Sequence, residues 1–259
     1  YEIPKRDWSS DVCSSDLGGR LAQPALILGS MNGPMGELLR TPDFLRLWLV
    51  GASANAMRWL ELLASGLFAW EVTQSSIAVT VVVAVRQLPQ LLFGAFAGAV
   101  SEAVNRKTIV LLALLVPACV STVLATLAFT EHLALWWIVL GNLVSGTMWA
   151  TEMPTRRRMV GEVAGSHRIV PAIALDSATN AATRMVGPLL GGILFGWLGM
   201  HGAYTVTALV QFAGAFVLAG LVYPQLMRRL DLVRIPADIA EGLRFARTRP
   251  TIQIGRAHV

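Results

Sequence analysis

Several charged and amide side chains stand inside long apolar runs, where they could bind a polar ligand or exchange protons. Asn55, Arg58 and Glu61 lie in the first run, and the i, i+3 spacing of Arg58 and Glu61 lets these two side chains meet on one helix face. Such a pair could line a cavity and bind or couple protons, or it could be a structural ion pair that orients helices. The sequence leaves both roles open, and Glu61 is the predicted protonatable group.

A second set of polar residues recurs at steps of four in a later apolar run. It consists of Asp176, Asn180, Arg184 and Pro188, which follow one slowly drifting helical stripe. Arg184 and Arg86 each stand near the middle of an apolar run, whereas Asp176 is expected at a solvated helix end. The residues predicted to line a cavity or to couple ions are Asn55, Arg58, Glu61, Arg86, Asn180 and Arg184.

Other polar residues in these runs have simpler expected roles. Glu152 and Arg156 are four residues apart and are predicted to form an interfacial salt bridge. Asn142 and Gln211 are expected to form hydrogen bonds between helices.

Catalytic and metal chemistry have little basis in the sequence. The four histidines are far apart, and the two cysteines, Cys13 and Cys119, form neither a disulfide pattern nor a zinc-ligand spacing. The sequence contains no P-loop and no nucleophile elbow. We therefore predict that the protein is not an enzyme and holds no metal or cofactor.

The composition indicates that membrane-spanning elements position these polar groups. Apolar residues make up 54% of the 259 residues, the mean hydropathy is +0.58, and only 14% of the residues are charged. Soluble domains carry roughly 25% charged residues. This composition excludes a cytosolic enzyme, a nucleic-acid-binding domain and a disordered chain.

Six apolar segments are each long enough to cross a bilayer, which requires about 20 residues in a helix. They are Phe44–Trp70, Ile77–Val100, Thr108–Phe129, Leu133–Pro154, Ile169–Leu198 and Ala203–Val222. We predict an all-α polytopic membrane protein whose six-helix transmembrane bundle occupies residues 43–224. A cytoplasmic N-terminal segment (18–42) precedes the bundle, and a cytoplasmic connecting loop with an amphipathic helix (225–253) follows it.

The positions of the arginines and lysines predict the orientation of the bundle. The links after spans one, three and five contain none, whereas basic residues occupy the links after spans two and four and both flanks of the bundle. By the positive-inside rule, the N-terminus and the tail are cytoplasmic. The net charge of +5 is then explained by topology, and no nucleic-acid partner is expected.

Both ends of the chain resemble translated sequencing-adapter sequence. Arg6–Leu17 reads RDWSSDVCSSDL and Ile254–Val259 reads IGRAHV. The first segment lacks the apolar core of a signal peptide. We expect residues 1–17 and 254–259 to be non-native.

The link after span two reads GAVSEAVNRK over residues 98–107. It resembles the loop Gly-x-Leu-Ala-Asp-Arg-x-Gly-Arg-Lys that the major facilitator superfamily carries between its helices two and three. The matching positions are Gly98, Glu102, Arg106 and Lys107. Glu102 stands in place of an aspartate and Ala103 in place of an arginine, so part of the family's charge arrangement is absent.

Span five contains RMVGPLLGG over residues 184–192. It resembles the Gly-Pro-x-x-Gly-Gly signature of superfamily exporters in helix five, through Gly187, Pro188, Gly191 and Gly192. Gly187 and Gly191 would allow close helix packing, and Pro188 would bend the helix. A generic glycine-rich packing face is the alternative interpretation.

Two further runs, Arg86–Pro89 and Asn55 to Trp59, look most similar to the enterobactin-exporter-like efflux branch of the superfamily. The resemblance implies an N-terminal six-helix half, built as two inverted three-helix repeats, whose C-terminal six-helix half is missing from this chain. It also implies a secondary active transporter that exports a small molecule, such as a siderophore or drug, across the bacterial inner membrane by proton-coupled alternating access.

Six apolar spans also occur in two other kinds of membrane protein. The link 101–107 is too short for the membrane domain of an ATP-driven exporter, whose helices extend far into the cytoplasm. A non-transporting six-helix membrane scaffold, or a six-helix unit that works as a homodimer, stays open from the sequence.

Overall fold

Helices form wherever the sequence carries its long apolar runs. The computed structural model describes residues 34–103, 105–221 and 223, and the side chains of all of these except 34 and 93–103. Its helices are α1 (Pro34–Arg40), α2 (Pro42–Thr73), α3 (Ser76–Ala103), α4 (Arg106–Phe129), α5 (Leu135–Ala164) and α6 (Ile169–Ala219). The part of the chain that is described is therefore all-helical, as predicted. The predicted terminal segments and the tail helix lie outside it.

Helices α2 to α5 contain predicted spans one to four, and α6 contains spans five and six. The predicted four-residue link between spans five and six is corrected to a break at a single residue, Gly199. Its φ of 63° and ψ of −168° are a conformation that glycine tolerates and residues with a Cβ rarely adopt. By length and composition, Arg106–Phe129 and Ile169–Ala219 could cross a membrane, and Ser76–Leu92 is a shorter apolar stretch.

The helices pack mainly in alternating pairs, with α2 against α6, α3 against α5, and α4 against both α5 and α6. One apolar cluster gathers residues near the start of α2 and α4 and near the end of α5, among them Leu47, Leu114 and Met159. A second cluster gathers residues from the opposite helix ends, including Ala69 and Ile138. The polar residues of α2, α4 and α5 lie between these clusters along their helices, so the polar groups form an interior layer.

Two glycines of α6 allow it to lie unusually close to α2. A Cβ on Gly187 would stand 2.7 Å from Trp59 Cβ, and a Cβ on Gly191 would stand 3.3 Å from Leu60 Cα. Contacts below 3.4 Å are tighter than most real Cβ contacts, so larger residues would separate the helices. The glycine-rich motif therefore packs α6 against the face of α2 next to Glu61.

Candidate functional site

A buried ion pair joins α2 to α3 within the polar layer. Arg86 Nη2 donates to Glu61 Oε2 at 2.8 Å, and the two side chains are only 5% and 4% exposed. Arg86 Nη1 also donates to Asn142 Oδ1 of α5 at 3.1 Å. Buried charges are tolerated when they are paired and hydrogen-bonded, and this pair meets both conditions.

The second oxygen of the Glu61 carboxylate faces two further helices. Ser121 Oγ of α4 donates to Glu61 Oε1 at 2.8 Å, and Gln211 Nε2 of α6 donates to it at 3.4 Å. All three side chains that bind Glu61 are donors, as a charged carboxylate requires. One carboxylate therefore connects α2 to α3, α4 and α6.

The network extends from Glu61 by one more helical turn. Ser65 Oγ donates to the Glu61 carbonyl at 2.7 Å and lies 3.1 Å from the hydroxyl of Tyr204. It also donates to Asn142 Oδ1 at 3.4 Å. The predicted interhelical hydrogen bonds of Asn142 and Gln211 are confirmed, and both link to the Glu61–Arg86 pair.

The sequence allowed Arg58 and Glu61 to meet without assigning their partners, and in the structure Arg86 binds the Glu61 carboxylate. The Arg58 guanidinium instead lies over the Trp149 ring of α5, with Cζ 4.4 Å from the ring centroid. Residues three apart are rotated by roughly 60° about a helix axis. That rotation directs Glu61 towards α3 and α4, and Arg58 towards α5.

A second buried charge cluster centres on Arg156. Its Nε donates to Glu152 at 2.7 Å, which confirms the predicted ion pair, and its Nη1 donates to Asp176 at 2.5 Å. Asp176 is 5% exposed, which corrects the expected solvated helix end. Gly51 of α2 makes the arrangement possible, because a Cβ there would collide with the Arg156 guanidinium.

A narrow cavity of about 40 Å³ separates the two clusters. Its charged and aromatic lining consists of Arg58, Glu61, Arg86, Trp149, Glu152 and Arg156. This volume admits a few water molecules, since one water needs about 10–15 Å³, but ligand pockets usually measure about 300–1,000 Å³. A separate and larger cavity of about 570 Å³, which has none of these lining residues, lies between α2, α3 and α6, with mainly apolar lining that includes Trp59 and Pro188.

The remaining predicted site residues lie between α2 and α6. Asn55 Nδ2 donates to Asn180 Oδ1 at 2.8 Å and also hydrogen-bonds Thr183. Arg184 is exposed, and its Cζ lies 5.8 Å from the centroid of the Trp59 ring. In the structure, Asn55 therefore hydrogen-bonds Asn180, and Glu61 forms an ion pair with Arg86. Arg58 and Arg184 each contact a different tryptophan.

Four contributors to the layer were missed in the sequence: Ser65, Ser121, Trp149 and Tyr204. Each is a single uncharged residue in an apolar run, so no spacing distinguishes it from an ordinary packing or hydroxyl residue. Within the described residues, no group of three or more His, Cys, Asp and Glu could hold a metal ion.

The residues of the predicted signature loop bind the end of α6. The side chain of Asn105 caps α4 by accepting from the Lys107 amide at 2.9 Å. Lys107 Nζ donates to the carbonyls of Ala219 and Leu221 at 2.8 and 2.6 Å. A cation at a helix C-terminus satisfies carbonyls that have no partner within the helix.

Arg106, the neighbour of Lys107, links the loop to the ends of α5 and α6. Its guanidinium binds the Glu162 carboxylate and donates to the Tyr223 hydroxyl at 3.1 Å. Partial burial, and then the hydrogen bond to Glu162, raise the pKa of Tyr223 above its ordinary value. Gly98 and Glu102 lie within α3, in the part of that helix whose side chains the structure does not describe.

Comparison with known proteins gives two matches. Residues 36–257 match a family of the major facilitator (MFS) type described as "Transmembrane secretion effector". An uncharacterized MFS-type transporter, YfiS, of Bacillus subtilis (strain 168) is 24% identical over 202 residues, which cover 76% of this chain and 47% of that protein. The chain therefore spans about half the length of the curated relative that it matches.

Proposed function

The chain belongs to the MFS family of transmembrane secretion effectors, and from this premise we propose that it is the N-terminal half of an exporter. The family implies a transporter rather than an enzyme. The proposed full transporter moves a small molecule, such as a siderophore or drug, out across the bacterial inner membrane. Its two six-helix halves, each made of two inverted three-helix repeats, would rock around a site near the middle of the membrane.

Two features support a half-transporter with a cytoplasmic N-terminus. The matched segment covers 47% of an MFS-type relative, as one of two similar halves would. The basic residues alternate between successive links of six predicted spans, and the positive-inside rule assigns the basic links to the cytoplasm. Proton coupling, export and the inner-membrane location extend this proposal.

The observation that carries the mechanism is the position of the Glu61 carboxylate at the meeting point of four helices. While charged, it accepts from Arg86 at 2.8 Å, from Ser121 at 2.8 Å and from Gln211 at 3.4 Å. A proton that binds Glu61 Oε2 removes the charge that holds the Arg86 guanidinium and converts that oxygen from acceptor to donor. Protonation would thus loosen α2 from α3 and favour a different arrangement of the helices.

Such a change couples proton entry to alternating access. Loss of a buried partner leaves the other charge uncompensated, which costs about 3–5 kcal/mol unless the structure rearranges. The rearranged state would expose Arg86 to water or to substrate, and release of the proton to the cytoplasm would restore the pair. In each cycle, one proton moves inward across the membrane before the ion pair between Glu61 and Arg86 forms again.

The test uses the full-length transporter in proteoliposomes with an imposed pH gradient. Transport of two impermeant dyes, anionic carboxyfluorescein and cationic ethidium, is followed by fluorescence. Gradient-dependent transport of either dye, abolished by nigericin, is the expected result. A protein that moves neither dye and conducts no protons under the gradient would support a membrane scaffold instead.

A further inference from the structure

We infer that Arg58 and Trp149 form the recognition site for an acidic group on the transported molecule, so that the substrates are organic anions. This inference rests on the proposed transport function. It starts from the three arginines that line the charged cavity, namely Arg58, Arg86 and Arg156. They differ in what their guanidinium groups bind.

Two of the three arginines have carboxylate partners, and Arg58 does not. Arg86 binds Glu61, and Arg156 binds both Glu152 and Asp176. Among the described residues, no carboxylate lies within 4.0 Å of the Arg58 guanidinium, which instead contacts the face of the Trp149 ring. Glu152 lines the same cavity, but its carboxylate is already bound by Arg156.

Two hydrogen-bond donors at this position are buried without a partner among the described residues. They are Arg58 Nη1 and Trp149 Nε1, and both side chains line the same cavity. An unpaired buried donor costs about 1–3 kcal/mol, so two of them on one cavity favour an acceptor that enters it. A carboxylate or a similar planar anion suits a guanidinium because it can accept two parallel N–H bonds.

The stacking on Trp149 prepares Arg58 for this role. The ring centroid lies 4.4 Å from Arg58 Cζ, and this cation–π contact restricts the guanidinium while leaving Nη1 available. Attraction to the Trp149 ring compensates the positive charge of Arg58 only in part, whereas a bound anion would compensate it fully. The tryptophan therefore holds the arginine in place without replacing the ligand.

The neighbouring residue of α2 lines a different space from Arg58. Trp59 follows Arg58 directly, and its ring lines the apolar cavity of about 570 Å³. Consecutive residues of a helix point about 100° apart, so Trp59 and Arg58 line two separate spaces. The charged cavity of about 40 Å³ has room only for a small acidic group, and the rest of a bound molecule would lie outside it. Because the proposed substrates are organic small molecules, an acid group at Arg58 makes them organic anions.

The test measures binding to the full-length transporter in lipid nanodiscs by isothermal titration calorimetry. The probes are 4-tert-butylbenzoate and its neutral analogue 4-tert-butylbenzamide, which share the apolar body and differ in charge. We expect the benzoate to bind about tenfold more tightly than the amide, as one charge-assisted hydrogen bond provides. Arg58→Gln should remove this preference, and Arg58→Lys should restore part of it.

The control variant is Arg157→Gln, which removes an exposed arginine of α5 outside the charged cavity. It should keep the preference for the benzoate. Equal affinity for the two probes, no binding of the benzoate, or a preference that survives Arg58→Gln in a protein with unchanged size-exclusion elution would overturn the assignment. Gradient-driven transport of ethidium without carboxyfluorescein would overturn it while leaving the transport function intact.

Discussion

Arg86 and Glu61 form a nearly fully buried ion pair, with 2.8 Å between Nη2 and Oε2, that fastens α3 to α2. The guanidinium also reaches Asn142 of α5, and the carboxylate also reaches Ser121 of α4. The pair is therefore the centre of a hydrogen-bond network that connects helices α2 to α6. Changes to either partner should affect stability and transport in ways that surface charges do not.

The first prediction concerns the stability of this pair. Arg86→Gln leaves the Glu61 carboxylate buried without its cation and should lower the free energy of unfolding by about 3–5 kcal/mol. The double variant Glu61→Gln/Arg86→Gln removes both charges and should be more stable than Arg86→Gln alone. Thermal unfolding in detergent measures both effects, and additive losses in the double variant would show that the two charges are not coupled.

The second prediction concerns the close approach of α3 and α5. A Cβ on Gly146 would collide with the backbone carbonyl of Arg86, which cannot move aside like a flexible side chain. Gly146→Ala should therefore destabilise the protein by about 1–3 kcal/mol and shift the position of Arg86.

The matched control for this change lies in the same helix. A Cβ on Gly161 meets nothing within 4 Å, so Gly161→Ala should be neutral or stabilise α5 by about 0.5–1 kcal/mol. The two variants are compared by thermal unfolding. Equal effects of the two variants on thermal stability would mean that α3 and α5 lie farther apart at Gly146 than they do in the structure.

The third prediction concerns the cluster around Arg156. Asp176→Asn removes one of the two carboxylates that bind this buried arginine while Glu152 still compensates its charge, so we expect a loss of stability of about 1–3 kcal/mol. Glu37→Gln breaks an exposed pair with Arg168, at 4.0 Å, and should change stability by less than about 1 kcal/mol. A mild Asp176→Asn variant would instead support the solvated helix end that the sequence predicts.

The fourth prediction concerns the contact between the signature loop and the end of α6. Lys107→Met removes the ammonium that binds the carbonyls of Ala219 and Leu221. Amides near this helix end should then exchange with deuterium faster, because the C-terminal turn loses its cation, an interaction of about 0.3–1 kcal/mol. Unchanged exchange in the peptide that contains these residues would argue against the contact.

The sequence predicted the helices well because long apolar runs have few other stable structures. It also located Glu61 and Arg86, since charged residues in such runs stand out. The partners could not be predicted, because they depend on the rotation of each helix and on what its neighbours present. Glu61 binds Arg86 rather than Arg58 because α3 and α4 face it with donors, a relationship between residues 25 and 60 positions apart.

The errors in α6 have similarly local causes. Asp176 stands near a helix start and was expected in water, but Gly51 of α2 leaves space for Arg156 to reach it. The break before span six needs only one residue, since the positive φ of Gly199 redirects the backbone there. Neither the space beside Gly51 nor the backbone angle of Gly199 is visible in hydropathy.

The central claim, that Glu61 couples protons to export, is tested most directly by comparing two transport modes in proteoliposomes of the full-length transporter. Glu61→Gln should export dye under a pH gradient no faster than without one, while dye exchange at equal pH on both sides continues. Glu71→Gln, which changes an exposed acid at the end of the same helix, should keep the response to the gradient. Gradient-driven export by Glu61→Gln at the unmodified protein's rate would contradict the account.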